Sequence, residues 1–568
     1  MQKPKLLTIL RGGYSRDQLY KDITAGIIVG IIAIPLSIAL AIASGVSPEK
    51  GLYTAIIAGF IISFLGGSSV QIGGPTGAFV VIIYRIIEKE GYPALVATTI
   101  IAGFILIFMG IIKIGSIIKY IPYPITTGFT SGIALVIFSQ QIGDFLGLRV
   151  KKLPSEFFPR IGQYIKNINT VSVSSIVIGI IALLIIIGWP YINKKIPGSL
   201  IAILLTTVAV KLLGIQVDTI GDRYSDLAAT LPTLSIPSMN IDMVIKLFPT
   251  ALTIAILAGI ESLLSAVVAD GMIGDKHNSN TELVAQGVAN IFSGIFGGIP
   301  ATGAIARTAA NVRNGGRTPV AGMTHSLVVL AIMMVLMPYA KLIPMPTLAA
   351  ILMIVAYNMS EWRSFKSLLK APKTDIAILL TTFILTVAVD LVVAIEFGVI
   401  MAAFLFMKRM ADITKIESIK DDLEENPSIT FYNPDGIDPA IQIFQIYGPF
   451  FFGAADKFTN TIQDNISKTY VMIIRMRHAP FMDATGYHAL SKTYSYCRRH
   501  KILLLFTQVQ EQPYELLNKH GFIEMVGKDN FCDNIEDALV RANAFVELNR
   551  KYSINRKNKN IVEDLKNP

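Results

Sequence analysis

Between residues 23 and 408 one apolar segment follows another, and almost every one is long enough to enter or cross a bilayer. We read them at about 23–45, 52–66, 76–87, 93–112, 124–147, 173–190, 198–214, 243–269, 281–297, 303–313, 319–338, 345–357, 374–390 and 392–407. A chain with this pattern must satisfy its backbone inside each helix, because hydrocarbon offers no partner to a bare amide. The composition agrees: 52% of the 568 residues are hydrophobic and 16% charged. Such a balance excludes an ordinary soluble globule. Fourteen segments divide into seven plus seven about the polar stretch 215–241. An odd number per half inverts the second half relative to the first, an arrangement found in many secondary transporters.

The segments are broken in two places. Residues 293–322 carry Gly297, Gly298 and Pro300, then Thr302-Gly303-Ala304, then Arg307. Residues 73–79 read Gly-Gly-Pro-Thr-Gly-Ala-Phe. Thr76-Gly77-Ala78 and Thr302-Gly303-Ala304 lie 226 positions apart, each shortly after a Gly-Gly and a Pro. Broken backbone at membrane depth is tolerated where protein buries it or where it lines a cavity. A helix that starts there aims free N–H groups and its positive end into the cavity. Arg307, one turn into the second break, adds a fixed positive charge. The two breaks predict an anion site at the interface of the two halves, lined by Pro75, Thr76, Gly77, Ala78 and Phe79 and by Thr302, Gly303, Ala304, Ile305, Ala306 and Arg307, with backbone N–H donors near Thr76–Phe79 and Ala304–Ala306. The bland alternative for either break alone is a tight loop between two spans.

A second charge stands inside a span. Glu261 lies in 243–269 with Ser265 four residues on, so both occupy one helix face. Three roles are open to it: carrying a proton, coordinating Na⁺ with Ser265, or serving as the permanent partner of Arg307. His325 sits near one end of a span, where a satisfied polar residue is commoner than a proton relay. Asp144, Asp390 and Glu396 fall at segment ends and read as helix-end residues. The six histidines and two cysteines show no metal-ligand spacing, and no phosphate-binding Gly-x-x-x-x-Gly-Lys loop occurs. We therefore expect no cofactor and no metal, no enzyme, and energy drawn from an ion gradient.

Lys and Arg gather in alternate loops, notably at Arg313, Arg317, Arg363, Lys366, Lys370 and Lys373 and after Lys408. This predicts a plasma (inner) membrane protein with both termini in the cytoplasm; loop 149–166, with five basic residues, is discordant. The net charge of +10 accompanies these loops and does not point to nucleic acid. Residues 1–22 form a cytosolic N-terminus without a cleavable signal, 23–410 the membrane domain with repeats of about 23–214 and 243–408, and 411–438 an acidic linker. Residues 439–550 alternate strand patterns (441–447, 470–476, 502–506) with helical ones (455–466, 486–500, 535–549), as a small α/β domain does. The charged, Asn-rich tail 551–568 reads as disordered.

Several of these stretches resemble the SulP (sulfate permease) family of anion transporters, bacterial relatives of the animal anion exchangers and prestin. They are residues 298–317, Gly259-Ile-Glu-Ser-Leu-Leu-Ser265, Asn358-Met-Ser-Glu-Trp362 and Lys370-Ala-Pro-Lys-Thr-Asp375. Met482-Asp-Ala-Thr-Gly486 resembles the strand-to-helix turn of a STAS domain (sulfate transporter and anti-sigma factor antagonist). The resemblance implies fourteen transmembrane segments as a seven-plus-seven inverted repeat, sorted into core and gate domains. It also implies substrate between half-helices three and ten, alternating access, a homodimer, and a cytosolic STAS domain able to bind a protein partner. It adds Leu36, Ser37 and Leu40 of the first segment to the substrate contacts, although relatives often carry polar or aromatic residues where this chain has Leu36 and Leu40. Sodium-coupled members carry Asp followed by Thr where this chain has Glu261 and Ser265, which favours the proton over Na⁺. Thr485 stands where anti-sigma antagonists carry a phosphorylatable hydroxyl; here it is expected mainly to cap the following helix. Sulfate is the first expectation for the substrate, a C4-dicarboxylate the second, bicarbonate or chloride the third. A membrane-anchored STAS signalling scaffold is the competing class, and it has no use for Arg307 or the paired breaks.

Overall fold

The computed structural model describes residues 3–116, 122–150, 153–193, 196–224, 230–234, 237, 240–389, 391–418, 437–465 and 469–564. The chain forms two compact units, Met1–Met401 and Ala402–Pro568.

The first unit is helical. In chain order it comprises α1 (Lys5–Gly12), α2 (Arg16–Ala43), α3 (Pro48–Leu65), β1 (Gly73–Gly74), a 3-10 turn (Gly77–Phe79), α4 (Val80–Ile111), α5 (Tyr123–Leu146), α6 (Phe157–Lys166), α7 (Val173–Ile192), α8 (Gly198–Leu213) and α9 (Ile220–Arg223). The second half contributes α10 (Ile241–Ile273), α11 (Ser279–Ile295), β2 (Thr302–Gly303), α12 (Ile305–Arg313), α13 (Pro319–Ala340), α14 (Met345–Met359), α15 (Trp362–Leu368), α16 (Lys373–Ala388) and the start of α17 (Leu391–Ile413), whose residues from Ala402 on belong to the second unit. By length and apolar content, seven helices among the described residues are able to cross a membrane. Two expected segments, 76–87 and 93–112, run through the Gly77–Phe79 turn and α4, which turns at Gly91 (φ 81°), where the chain needs a left-handed residue ahead of Pro93.

Two sets of helices pack within this unit. One contains α2, α3, α4, α10, α11, α12 and α13; the other contains α5, α7, α8, α14 and α16. Lipid supplies no hydrophobic drive between helices, so contact depends on small residues that let backbones approach. Gly103 of α4 and Gly287 of α11 show this reciprocally. A Cβ on Gly103 would lie 2.6 Å from the Gly287 carbonyl oxygen, and one on Gly287 would lie 2.5 Å from that of Gly103. Gly26 meets Ala321 of α13 in the same way, and Gly128 of α5 meets Leu379 of α16.

The loop whose basic charge breaks the orientation pattern has a structural use for one of its arginines. Arg160 is buried and donates to the carbonyls of Pro154 (3.0 Å), Ser155 (2.6 Å) and Val136 (3.3 Å). Asp144, read as a helix-end residue, is ion-paired with Arg223 of α9. Asp390 lies outside the described residues.

The second unit is a five-stranded sheet in the order β3 (Lys415–Ser418), β4 (Ile441–Tyr447), β5 (Val471–His478), β6 (Leu503–Thr507), β7 (Phe531–Cys532). β3 is antiparallel to β4 and the remaining pairs are parallel. Alternation along the strands makes two apolar faces. Phe444, Ile474 and Phe506 pack with Phe458 of α18 (Phe452–Asn465), Leu490 of α19 (Ala484–Arg499), Leu517 of α20 (Glu511–Lys519) and Phe522 of α21 (Phe522–Val526). Ile441, Ile473 and Leu505 pack with Ala538, Ala542 and Val546 of α22 (Ile535–Asp564). Two expectations need correction. The stretch taken as a linker contains β3, whose few residues pair with β4 from outside the expected domain. The tail taken as disordered is helical to Asp564, a stretch that holds neither glycine nor proline to stop α22.

Candidate functional site: two interrupted segments joined by backbone pairing

Gly73 pairs with Gly303 and Gly74 with Thr302, antiparallel. The short ladder extends one step, since Ala304 N donates to Ile72 O at 2.9 Å. Two stretches distant in sequence thus satisfy one another's backbone where neither could do so alone. Beyond the ladder the chains diverge into the Gly77–Phe79 turn that opens α4 and into α12. No side chain caps either start. Ile305 and Ala306, in the first turn of α12, are exposed.

Arg307 completes the junction. Its side chain is 2% exposed, and Nη2 donates to the Pro75 carbonyl of the other interrupted segment. Among the described residues nothing accepts from Nε or Nη1. A buried guanidinium with unused donors is costly unless a guest accepts from it. Glu261 is the nearby countercharge; it is half-buried on α10 and its Oε2 accepts from Thr76 Oγ1 at 3.0 Å.

α10 holds the second segment by hydroxyls and the first through the Glu261 carboxylate and the Ser262 carbonyl, which accepts from Gln71 Nε2 at 3.2 Å. Ser262 Oγ lies 2.5 Å from Thr302 Oγ1 and accepts from Gly303 N at 3.1 Å. Thr302 Oγ1 also reaches the Ala258 carbonyl at 3.0 Å. Ser265 Oγ donates to Thr308 Oγ1 at 3.2 Å, which in turn accepts from Ile72 N at 3.1 Å. Gln71 lies flat across β2, so close that a Cβ on Gly303 would fall 1.4 Å from its Nε2. Gly77 faces the other helix set: its Cβ would sit 2.5 Å from Met359 Sδ of α14 and 3.5 Å from Ile137 of α5.

The structure therefore joins Pro75, Thr76, Thr302, Gly303, Ala304, Arg307 and Glu261 through one network, with Gly77 and Ile305 at its edge. Ala78 and Phe79 are buried in the turn behind. Ser265 is committed to Thr308 rather than to Glu261. Ser37 is buried, and among the described residues its hydroxyl has no partner; its backbone packs on Gly51 of α3. Leu40 belongs to the apolar core, and Leu36 packs against it. Sequence reasoning missed Ser262, Thr308 and Gln71. Ser262 stood inside a motif already singled out, but its use depends on Thr302, forty residues away.

Thr485 does not cap α19. Asp483 does, accepting from Gly486 N at 2.8 Å, because a carboxylate two residues earlier is the one placed to reach that amide. Thr485 is exposed on the first turn. No cluster of His, Cys, Asp and Glu able to hold a metal occurs among the described residues.

Residues 19–382 match the Sulfate permease family, and residues 432–538 match the STAS domain. The chain belongs to the sulfate permease family. Its relatives include "Putative sulfate transporter YvdB" of Bacillus subtilis, 41% identical over 92% of this chain and 98% of the relative. The bicarbonate transporter BicA of Picosynechococcus is 27% identical over 92% of this chain and 94% of its own. Among solved structures, SLC26A9 superposes with a TM-score of 0.85 at 19% identity, over 96% of this chain and 93% of that one. The transmembrane domain of a cyanobacterial BicA gives 0.62 at 28% identity, over 69% of this chain and 98% of that one. The sulfate permease family is one of transporters, not enzymes, and this chain is a multi-pass membrane member with a C-terminal STAS domain.

Proposed function

We propose that this protein is a secondary active transporter that carries sulfate, bound between the N-terminal ends of α12 and of the Gly77 turn. The observation behind this reading is Arg307: a buried guanidinium, anchored by one nitrogen to the opposite segment, with two nitrogens free for an acceptor. Sulfate suits it as a compact acceptor with several oxygens, able to meet the guanidinium and helix N–H groups together. The name carried by the 41% identical relative points the same way. Bicarbonate is the second reading, favoured by similarity to BicA over nearly the whole chain.

Glu261 is the coupling residue in this proposal, taking up the proton that enters with the anion; Na⁺ is the alternative ion. Access alternates as the α2–α4 and α10–α13 set moves against the α5, α7, α8, α14 and α16 set, and the site contributes Gly77 to the surface between them. The seven-plus-seven inverted repeat, cytoplasmic termini, residence in the plasma membrane, a homodimer and a protein partner for the STAS domain belong to the same proposal. Uptake of labelled sulfate, bicarbonate and a C4-dicarboxylate into proteoliposomes, under separate proton and sodium gradients, tests it. Sulfate uptake driven by an inward proton gradient is expected; uptake of bicarbonate alone would transfer the proposal to the second reading.

A further inference from the structure

α1 contains no acidic residue and shows two different faces. Leu6 is buried and Ile9 half-buried, and the helix packs on α3 and α13. Leu7 (45% exposed), Leu10 (53%) and Arg11, at spacings of three and four, form an exposed flank beside it. The exposed apolar stripe continues into α2 through Leu19, Tyr20, Ile23 and Ile27. α2 is one of the helices able to cross a membrane, so its exposed stripe meets lipid. Only residues 13–15 separate α1 from the start of that helix. The exposed charges on the chain from residue 3 to the first turns of α2 are Lys3, Arg11, Arg16, Lys21 and Asp17, and the last two are paired at 2.6 Å. Leucines beside an excess of basic residues suit an anionic lipid surface.

The other end of α1 reaches toward the site. Lys5 N donates to Gly66 O at 3.0 Å, and Lys5 Nζ pairs with Asp275 at 2.8 Å. Asp275 also accepts from Ser69 Oγ at 2.5 Å. Glu282 accepts from Gly67 N (2.8 Å) and Ser68 N (3.1 Å). Residues 66–69 are thus held by α1 on one side and α11 on the other, and four residues later the chain enters β1.

We propose that α1 docks on anionic headgroups through Leu7, Leu10 and Arg11, and that Lys5 transmits its position to residues 66–69 and so to the paired segments. The test uses the full chain in nanodiscs of phosphatidylcholine, with or without phosphatidylglycerol, and in proteoliposomes of the same lipids. Hydrogen exchange at α1 is measured without added anion, so this readout does not depend on which anion is carried. Anionic lipid is expected to slow it about fivefold, the scale of one basic residue at a charged surface, and to change the rate of anion uptake. The Leu7→Ser/Leu10→Ser variant should retain its uptake in neutral lipid and lose both responses. Exchange at wild-type α1 that ignores lipid charge, or a variant that responds as wild type does, overturns the docking. Exchange that responds while uptake does not overturns the transmission through Lys5. Protection that follows protein concentration instead of lipid charge would give the face to a second copy of this chain.

Discussion

Thr76 Oγ1 donates to Glu261 Oε2 at 3.0 Å, tying the residue that precedes the Gly77 turn to the carboxylate in the middle of α10. This bond changes character if the carboxyl takes a proton, because a protonated oxygen is a donor or a weaker acceptor. On the proposed function it is the direct link between the coupling charge and the anion site.

Glu261→Gln fixes the protonated shape without a titrating proton. Uptake by this variant should no longer accelerate under an inward proton gradient, while anion binding and anion-for-anion exchange persist. If Glu261 instead serves Na⁺, wild-type uptake should follow a sodium gradient at constant pH and the variant should not. A variant inactive in every mode and poorly folded would mark a structural partner of Arg307, since breaking a buried pair costs about 3–5 kcal/mol.

Arg307→Ala removes the fixed charge and leaves the helix N–H groups. A charge-assisted hydrogen bond contributes about 1.5–3 kcal/mol, so the anion's dissociation constant should rise roughly ten- to a hundredfold. Binding measured on purified protein, with a melting curve alongside, separates this from misfolding.

Gly77→Ala would bring a methyl against Met359 Sδ. Overpacking of this kind costs about 1–3 kcal/mol. Lower thermal stability and slower uptake are expected, and both should recover in Gly77→Ala/Met359→Ala. Recovery of stability alone would mean that the contact serves packing and not movement.

Asp275 gives a pH dependence outside the membrane. Burial pushes its carboxyl up, but bonds from Lys5, Ser69 and the Lys276 N–H outweigh this and hold it below the usual carboxylate range. A depressed acid stabilises the fold above its unfolded pKa of about 3.9 and loses that contribution as pH falls through the folded value. The grip on α1 should therefore be constant near neutrality and weaken only in strong acid. Asp275→Asn should free α1 at every pH, read as faster hydrogen exchange over residues 5–12.

Cys497 of α19 should resist alkylation. Burial pushes its thiol up to about 12, so almost no thiolate forms at pH 8. The raised value stabilises the C-terminal unit below the unfolded thiol's pKa of about 8.5 and is lost as pH rises beyond it. Mass spectrometry of the folded protein after iodoacetamide should show Cys497 unmodified, whereas urea should expose it.

Much of the junction was legible because it rests on local backbone chemistry. Two Gly-Pro breaks cannot cross lipid alone, and the repeated Thr-Gly-Ala said which stretches would meet. Arg307 was legible for a similar reason, as a charge that apolar surroundings do not accept without a use. The side chains that fasten the junction were not. Ser262, Thr308 and Gln71 are ordinary residues whose role comes from what α10 and β1 bring beside them. The capping of α19 failed differently: Asp483 and Thr485 both suit a helix start, and only the backbone path at residue 483 decides between them. β3 escaped notice because four residues carry too little periodicity to announce a strand, and its partner begins 23 residues later.

The pairing of Gly73–Gly74 with Thr302–Gly303 has a consequence for how a cargo would travel. Two segments stitched to each other, and both to α10, cannot release their halves of a guest in turn. On the proposed cycle the sulfate keeps the same set of ligands while the water in front of it changes sides. Its affinity measured from one face of the membrane should then be close to that measured from the other. The direction of net flow would come from the ion that accompanies it, not from a site that is tight at loading and loose at delivery.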